Sequence, residues 1–236
     1  MKEVSIFGPD HKILDVTHTI FHNMPVYWTE ELFTMSLIRN IPKDKYEARL
    51  LSLETHHGTH IDAPRHIIEE GKTIDEYSFV KLAGDFVCLN LQYKQSKGVP
   101  REITASDLEK YESDIKDAEV ILLNTGSSKI RSLKFEYMFN WPYLDLDGAR
   151  YITSNFKRLK IVGTDAPSIA ANLRTYGDAN VIETHKELLS KDILIPEELN
   201  FNYPELDSTL TYGFFIFLPL KIAQGDGAPG RAFIIL

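Results

Sequence analysis

"THHGTHIDAPRH", residues Thr55 to His66, carries four side chains able to hold a metal or move a proton. They are His56, His60, Asp62 and His66, and all stand at even positions, as do Gly58 and Pro64. Two histidines four apart could share a helix face, as in HExxH zinc sites, but Gly58 and β-branched Thr59 lie between them and Pro64 follows closely. An extended chain is therefore expected, in which residues two apart share a face. His56, His60, Asp62 and His66 then project one way, while Leu51, Leu53, Thr55, Thr59 and Ile61 face the other. Gly58 is expected to leave room for an ion between His56 and His60, and Pro64 to end the strand so that His66 hangs beside the ion.

Outward from this segment, short β-rich runs dominate: "KILDVTHTI", "YEARLLSLETH", "DFVCLNLQY", "AEVILLNTG", "LKIVGTDAP", "DILIP", "YGFFIFLPL" and "RAFIIL". They are mixed with helical stretches, "ASDLEKYE" from Ala105 and "VIETHKELLS" from Val181. In "TASDLEKYESD", Thr104 or Ser106 reads as a helix N-cap, with acidic residues favoured by the dipole in the first turn. The class is mixed α/β. No repeat, low-complexity tract or linker divides the chain, so residues 1–236 are expected to form a single domain, and 43% hydrophobic residues supply an ample core.

A formal net charge of -8 argues against a nucleic-acid surface, which needs clustered cations. Cys88 is the sole cysteine, which excludes an intrachain disulfide and a CxxC metal site. The N-terminal residues lack a signal-peptide apolar core and "YGFFIFLPLKI" is too short to cross a bilayer. A cytoplasmic protein without membrane contact is expected.

Imidazole nitrogens and carboxylate oxygens suit Zn²⁺ or Mn²⁺, and a set without cysteine fits a catalytic better than a structural zinc site. Water in an open coordination position is acidified from a pKa of about 15.7 towards about 7, a carboxylate such as Asp62 can bridge two ions, and a nearby imidazole can shuttle protons. A lone histidine is more often a surface or satisfied core residue. Three imidazoles and a carboxylate on one face of an apolar-backed strand are not explained that way.

"HHGTHIDAPRH" matches HxGTHxDxPxH at every specified position, and so resembles the signature of the cyclase-like metal-dependent hydrolases, a family that includes bacterial kynurenine formamidase and isatin hydrolase. "LDVTHTIFHNMPVY", "LLNTG", "VGTDAPSI", "HKELLSKDILIPEEL" and "LPLKIAQGDGAPGRAFIIL" extend the resemblance along nearly the whole chain. It implies a swivelling β/β/α domain, a mixed sheet curled into a barrel-like core with helices outside, and a homodimer or higher homo-oligomer with aromatic residues of one subunit near the other's site. It also implies that His56, His60 and Asp62 hold one ion, that Asp62 bridges to a second held with His185 and Glu197, and that His66 is the catalytic acid or base. One or two zinc ions are implied, with manganese in some ring-opening members.

The residues allow this second half of the site. "VIETHKELL" reads as a helix presenting His185, and Ile193, Ile195 and Glu197 alternate along a following strand. Glu198 competes with Glu197 by one residue, and strand parity favours Glu197. The glycine-rich "GDGAPGR" from Gly225 has no P-loop lysine and leads into a strand, so it reads as a tight loop near the site, with Arg231 neutralising buried carboxylates, or as a plain turn. Asp165 and Ser168 read as a capping or turn network that positions a ligand, or as plain turn residues, and stand outside the catalytic set. His18, His22, Met24, Tyr27 and Trp28 read as core, or in part as lining for a planar substrate.

The expected activity is metal-assisted hydrolysis of a small aromatic amide, N-formylkynurenine to kynurenine and formate, with His66 protonating the leaving amine. Two alternatives stand beside it: a hydrolase of a cyclic amide or lactone such as isatin, and a non-enzymatic metal- or ligand-binding module. The last predicts a closed coordination shell.

Overall fold

A computed structural model describes residues 11–27, 32–97, 101–173 and 178–236. Its strands are β1 (Ile13–Asp15), β2 (Thr34–Arg39), β3 (Ala48–Ser52), β4 (His60–Asp62), β5 (Ala83–Asn90), β6 (Glu102–Ile103), β7 (Val120–Asn124), β8 (Tyr143–Leu144), β9 (Ile161–Thr164), β10 (Ile195–Glu197), β11 (Leu210–Pro219) and β12 (Gly227–Ile235). Eight of them form one mixed sheet in the order β10-β4-β12-β11-β5-β7-β9, with β1 also paired to β12. β5, β7 and β9 are parallel, and the other pairings in this sheet are antiparallel.

The sheet curls until its ends meet. Val162 N donates to Leu194 O at 3.0 Å and Leu194 N to Lys160 O at 2.9 Å, so β9 lies against the residue that leads into β10. The result is a nearly closed barrel. Alternation then assigns each strand residue to one of two cores. Ile61, Phe86, Cys88, Val120, Leu122, Ile161, Phe215, Phe217 and Ile234 fill the inside. Val87, Leu89, Ile121, Leu123, Val162 and Ile195 face outward into a second core with Leu108, Ile152 and Leu188 of the flanking helices. Burial on both faces is why "VILLN" reads as an unbroken apolar run rather than an alternating one.

Of the helices that supply this cover, two begin at capping side chains. Thr104 caps the helix Ala105–Glu109, with Asp107 reaching back to accept from Thr104 N at 3.1 Å. Asp145 caps Leu146–Asn155 by accepting from Gly148 N at 2.7 Å. The helix Asp178–Leu189 completes the layer. No helix among the described residues is long and apolar enough to cross a membrane.

Among the described residues β2 and β3 pair only with each other, as a two-stranded ribbon whose side chains are largely exposed, including Leu37, Ile38 and Leu50.

The opening segment differs from its expected form. Only His60–Asp62 is strand, while residues 55–59 turn and Pro64–His66 form a single 3-10 turn. Gly58 takes φ +69, a left-handed conformation open to glycine, and swings the chain through the turn instead of leaving a gap in a strand. His56 therefore reaches its neighbours by the bend, not by parity.

Phe217→Ala should cost about 3–5 kcal/mol, because Phe217 is fully enclosed in the barrel. Urea denaturation measures this, and a loss below about 1 kcal/mol would contradict the interior assignment.

Candidate metal centre

Strand β4 lies between β10 and β12. His60 is opposite Glu197 on one side and Pro229 on the other, and Asp62 is opposite Ile195 and Gly227. Since Ile61 enters the barrel, His60 and Asp62 must leave it, and Glu197 leaves with them on the adjoining strand. His185, on the helix that packs over this face, completes the cluster. The four are almost wholly enclosed: His60 is 2% exposed, Asp62 1%, Glu197 4% and His185 5%.

The two histidines are held alike. His60 Nδ1 is 2.7 Å from Gly58 O, and His185 Nδ1 is 2.9 Å from Val181 O. A carbonyl oxygen only accepts, so Nδ1 carries the proton in both rings and Nε2 is directed inward. There His60 Nε2 lies 3.4 Å from Asp62 Oδ1 and 3.5 Å from Glu197 Oε2, while His185 Nε2 lies 3.3 Å from Glu197 Oε1 and 3.7 Å from Asp62 Oδ2.

These spacings are long for charge-assisted hydrogen bonds, which run at about 2.7–2.9 Å. They match the separation of donors sharing a tetrahedral ion at about 2.0–2.1 Å, whose edges are ~3.4 Å. Asp62 Oδ2 is buried and has no hydrogen-bond partner, as an oxygen reserved for a cation would be. Glu197 is fixed in place by Ile169 N, which donates to Oε1 at 2.6 Å. The residues fit a divalent ion.

His56 adjoins this group from the turn. Its Nδ1 is 2.8 Å from Asp62 Oδ1 and its Nε2 2.8 Å from Asp226 Oδ2. Burial lowers the His56 pKa, but the Asp62 charge and the hydrogen bonds to Asp226 and Asp62 more than reverse this, raising it to about 9. Burial likewise raises the Asp62 pKa, yet the surrounding imidazoles hold it well below the usual carboxylate range. His66 sits on the 3-10 turn with 30% of its side chain exposed. Its ring lies 4.1 Å from that of His56, and its Nδ1 3.4 Å from Asp226 Oδ2.

Two sets of donor atoms each fall within 4.8 Å of one another: His56, Asp62 and His66, and His60, Asp62 and Glu197. Asp62 belongs to both. The structure thus brings together all six residues singled out by sequence, with His56 linked through Asp62 and Asp226.

Of the two adjacent acids, Glu197 turns to the histidines. Glu198 has φ +50 and turns away, accepting from Arg131 Nη2 at 3.2 Å and Tyr137 OH at 3.1 Å. Arg131 thus neutralises the buried acid. Arg231, assigned that role by sequence, points outward from β12 instead and pairs with Asp15, because alternate residues Ala232 and Ile234 occupy the barrel. Asp165 is a buried acceptor for the main chain and hydroxyls of Thr125 and Ser128, consistent with a turn network.

The histidine cluster opens into a cavity of about 490 Å³ whose other walls include Tyr27, Ile67, Leu173, Val181 and Ile182. Of the aromatic segment, Tyr27 therefore reaches the site. His18 lines a separate cavity with Leu51, Leu53 and Leu218, His22 accepts from Met35 N, Met24 packs with Val26 and Phe33, and Trp28 lies outside the described residues. Asp226 was missed by sequence reading, although an acid between two glycines at the mouth of a strand is a signal for it. The second of those glycines makes room for the site, since a Cβ on Gly227 would lie 2.8 Å from His56 Cε1 and 2.7 Å from Ile61 O.

A model of the family described as "Putative cyclase" matches residues 14–171. The chain belongs to the cyclase family. It is 32% identical over 229 residues to an uncharacterized protein of Methanocaldococcus jannaschii, covering 95% of this chain and 100% of the relative. It is 25% identical over 233 residues to a kynurenine formamidase of Erythrobacter litoralis, covering 98% and 97%. Among solved structures, a "predicted metal-dependent hydrolase" from Bacillus stearothermophilus is 28% identical with a TM-score of 0.72, covering 95% of this chain and 98% of that one. Isatin hydrolase A from Labrenzia aggregata, bound to benzyl benzoate, has a TM-score of 0.81 at 22% identity, covering 96% and 94%. At that identity the likeness is one of fold.

Gly227→Ala should cost about 1–3 kcal/mol by overpacking and displace His56, weakening metal uptake; denaturation and zinc titration read both effects, and an unchanged zinc affinity would show that His56 has not moved. In the metal-free protein His56 is protonated at neutral pH, since its pKa is raised to about 9. Zinc binding through that ring should then release at least one proton per chain, the nearby acids raising His60 and His185 as well. Calorimetric titration in buffers of different ionisation enthalpy measures it, and heats independent of the buffer would exclude His56 as a protonated ligand.

Proposed function

We propose that this member of the cyclase family is a metal-dependent amidohydrolase that removes the formyl group from a small aromatic formamide of the N-formylkynurenine type. The observation that carries this reading is the buried set of His60, Asp62, Glu197 and His185 opening into a largely apolar cavity with the partly exposed His66 beside it. A closed binding module would wrap its ion on every side, whereas this cluster faces space large enough for an aromatic ligand. The named activities of the Erythrobacter formamidase and the Bacillus hydrolase support the same class.

His60, Asp62, Glu197, His185 and His56 would hold one or two ions, zinc or manganese, with Asp62 shared between them. A divalent ion bound there supplies Lewis acidity, polarising a carbonyl oxygen and acidifying water. Tyr27, Leu173, Val181 and Ile182 hold the aromatic ring and exclude bulk water from the reacting end. His66 takes the proton from the attacking water at Nε2 and returns it to the departing aniline nitrogen. Water adds to the formyl carbon, the C–N bond breaks, and formate and the free amine leave.

Self-association belongs to the same reading. The ribbon β2–β3 carries Leu37, Ile38 and Leu50 in the open, and an isolated two-stranded ribbon is marginal in water. In the homodimer that the family resemblance implies, a second copy of the chain would cover it.

His66→Ala should retain its metal and lose about 10²–10⁴-fold in kcat, while His60→Ala should lose metal as well. Elemental analysis alongside formate release from N-formylkynurenine by zinc- or manganese-loaded protein makes the comparison. Equal metal loss in both variants would remove the proton-transfer role from His66. Opening of isatin without formate release from the formamide would move the reaction to cyclic amides.

A further inference from the structure

We propose that Asp226 is a positioning residue that anchors His56 and sets the tautomer of His66, and so keeps His66 ready to accept a proton from the cavity. This rests on the hydrolase reading above for its catalytic consequence, but not for its structural one.

One oxygen serves both rings. Asp226 Oδ2 is 2.8 Å from His56 Nε2 and 3.4 Å from His66 Nδ1. The other oxygen, Oδ1, accepts from Thr55 Oγ1 at 2.9 Å, and the Asp226 carbonyl accepts from Ala63 N at 2.9 Å, one residue past Asp62. The carboxylate is thus tied at both ends to the segment it serves. An ionised carboxylate can only accept, so each ring nitrogen turned towards it carries its hydrogen.

The two rings differ in what this leaves them. His56 has a carboxylate at each nitrogen, Asp226 at Nε2 and Asp62 at Nδ1, both at 2.8 Å, and is anchored between them. His66, protonated on Nδ1, keeps its Nε2 lone pair free. The second arrangement opposes the ordinary preference of a free imidazole, which favours the proton on Nε2 and would leave His66 no acceptor there. The ring centroids lie 4.1 Å apart with their planes inclined at 38°, so a single fixed oxygen can reach the edges of both.

The logic is that of a carboxylate behind a catalytic or metal-binding histidine, here shared by two histidines with different roles. Glycines on either side make the approach possible: Gly227 leaves space for His56, and Gly225 is packed too closely against Ile74 and the carbonyls of Gly227 and Ile222 to accept a Cβ.

Asp226→Asn tests this in the zinc-loaded protein. The amide can donate where the carboxylate accepted, which favours the opposite tautomer of His66. Long-range ¹H–¹⁵N correlation spectra should show His66 protonated on Nδ1 in the wild type and on Nε2 in D226N. Zinc affinity should fall about 10–100-fold, and at saturating zinc kcat should fall about 10²–10⁴-fold with KM within threefold. Asp226→Glu should recover part of kcat.

Thr55→Val, which frees the carboxylate without adding a donor, should give a smaller loss of about 3–10-fold in kcat and a mixed His66 tautomer, and it decides the matter if D226N does not fold. An unchanged His66 tautomer in the variant, or kcat within threefold of wild type, would overturn the proposal. If neither amide is turned over by wild-type protein, the hydrolase reading fails, while the spectra and the zinc affinity still judge Asp226.

Discussion

The parity of a three-residue strand governs the rest of this molecule's site. β4 is hydrogen-bonded on both sides, so it can neither slip nor rotate, and with Ile61 committed to the barrel interior His60 and Asp62 are committed to the opposite face. β10 repeats the arrangement, with Pro196 opposite Ile61 and Glu197 opposite His60. Proline at the middle of β10 reflects the special nature of this short strand: it has few ladder bonds to lose. Two acids and a histidine are thereby brought into a space from which water is largely shut out, and the helix carrying His185 closes it.

Such a cluster is costly to a fold unless its charge is matched. Ionised carboxylates side by side in a dry interior require cations or hydrogen-bond donors. Ile169 N meets part of the need at Glu197, and the imidazoles meet more, but Asp62 Oδ2 has none. The same chain shows the other solution next door. Glu198 is equally buried, and its Oε2 accepts from Arg131 and Tyr137. One residue separates the acid paired with Arg131 from the acid turned to the histidines, and the left-handed backbone at Glu198 is what separates them in space.

How much of this was legible in the sequence depends on whether a residue acts through pattern or through distant pairing. The buried strands were legible because both faces of β5, β7 and β9 meet apolar cores, so their runs need no long-range information. A cap at Thr104 or Ser106 was legible because the interaction is local, and the structure places it at Thr104. The metal-site residues were recognisable from type and spacing, and Glu197 was separable from Glu198 by alternation. The turn at Gly58 was not legible, since even spacing is kept equally by a strand and by this bend. Asp226 and Arg131 were missed for a common reason: each acquires its role from a partner far along the chain, His56 in one case and Glu198 in the other. Arg231 was misassigned because proximity in sequence to the glycine loop says nothing about which side of β12 it leaves from.

The pairing of β4 also bears on when the protein becomes competent. Both strands that flank it come from the final stretch of the chain, from Ile195 onward, and the barrel's closure beside Leu194 comes from the same region. During synthesis the early histidines emerge long before Glu197, Asp226 or Gly227 exist to receive them. Non-local strand pairing of this kind forms late, after the loops that separate the partners have been closed. Assembly of the candidate metal site is therefore tied to completion of the chain, so a partly made or truncated protein cannot present the same set of side chains.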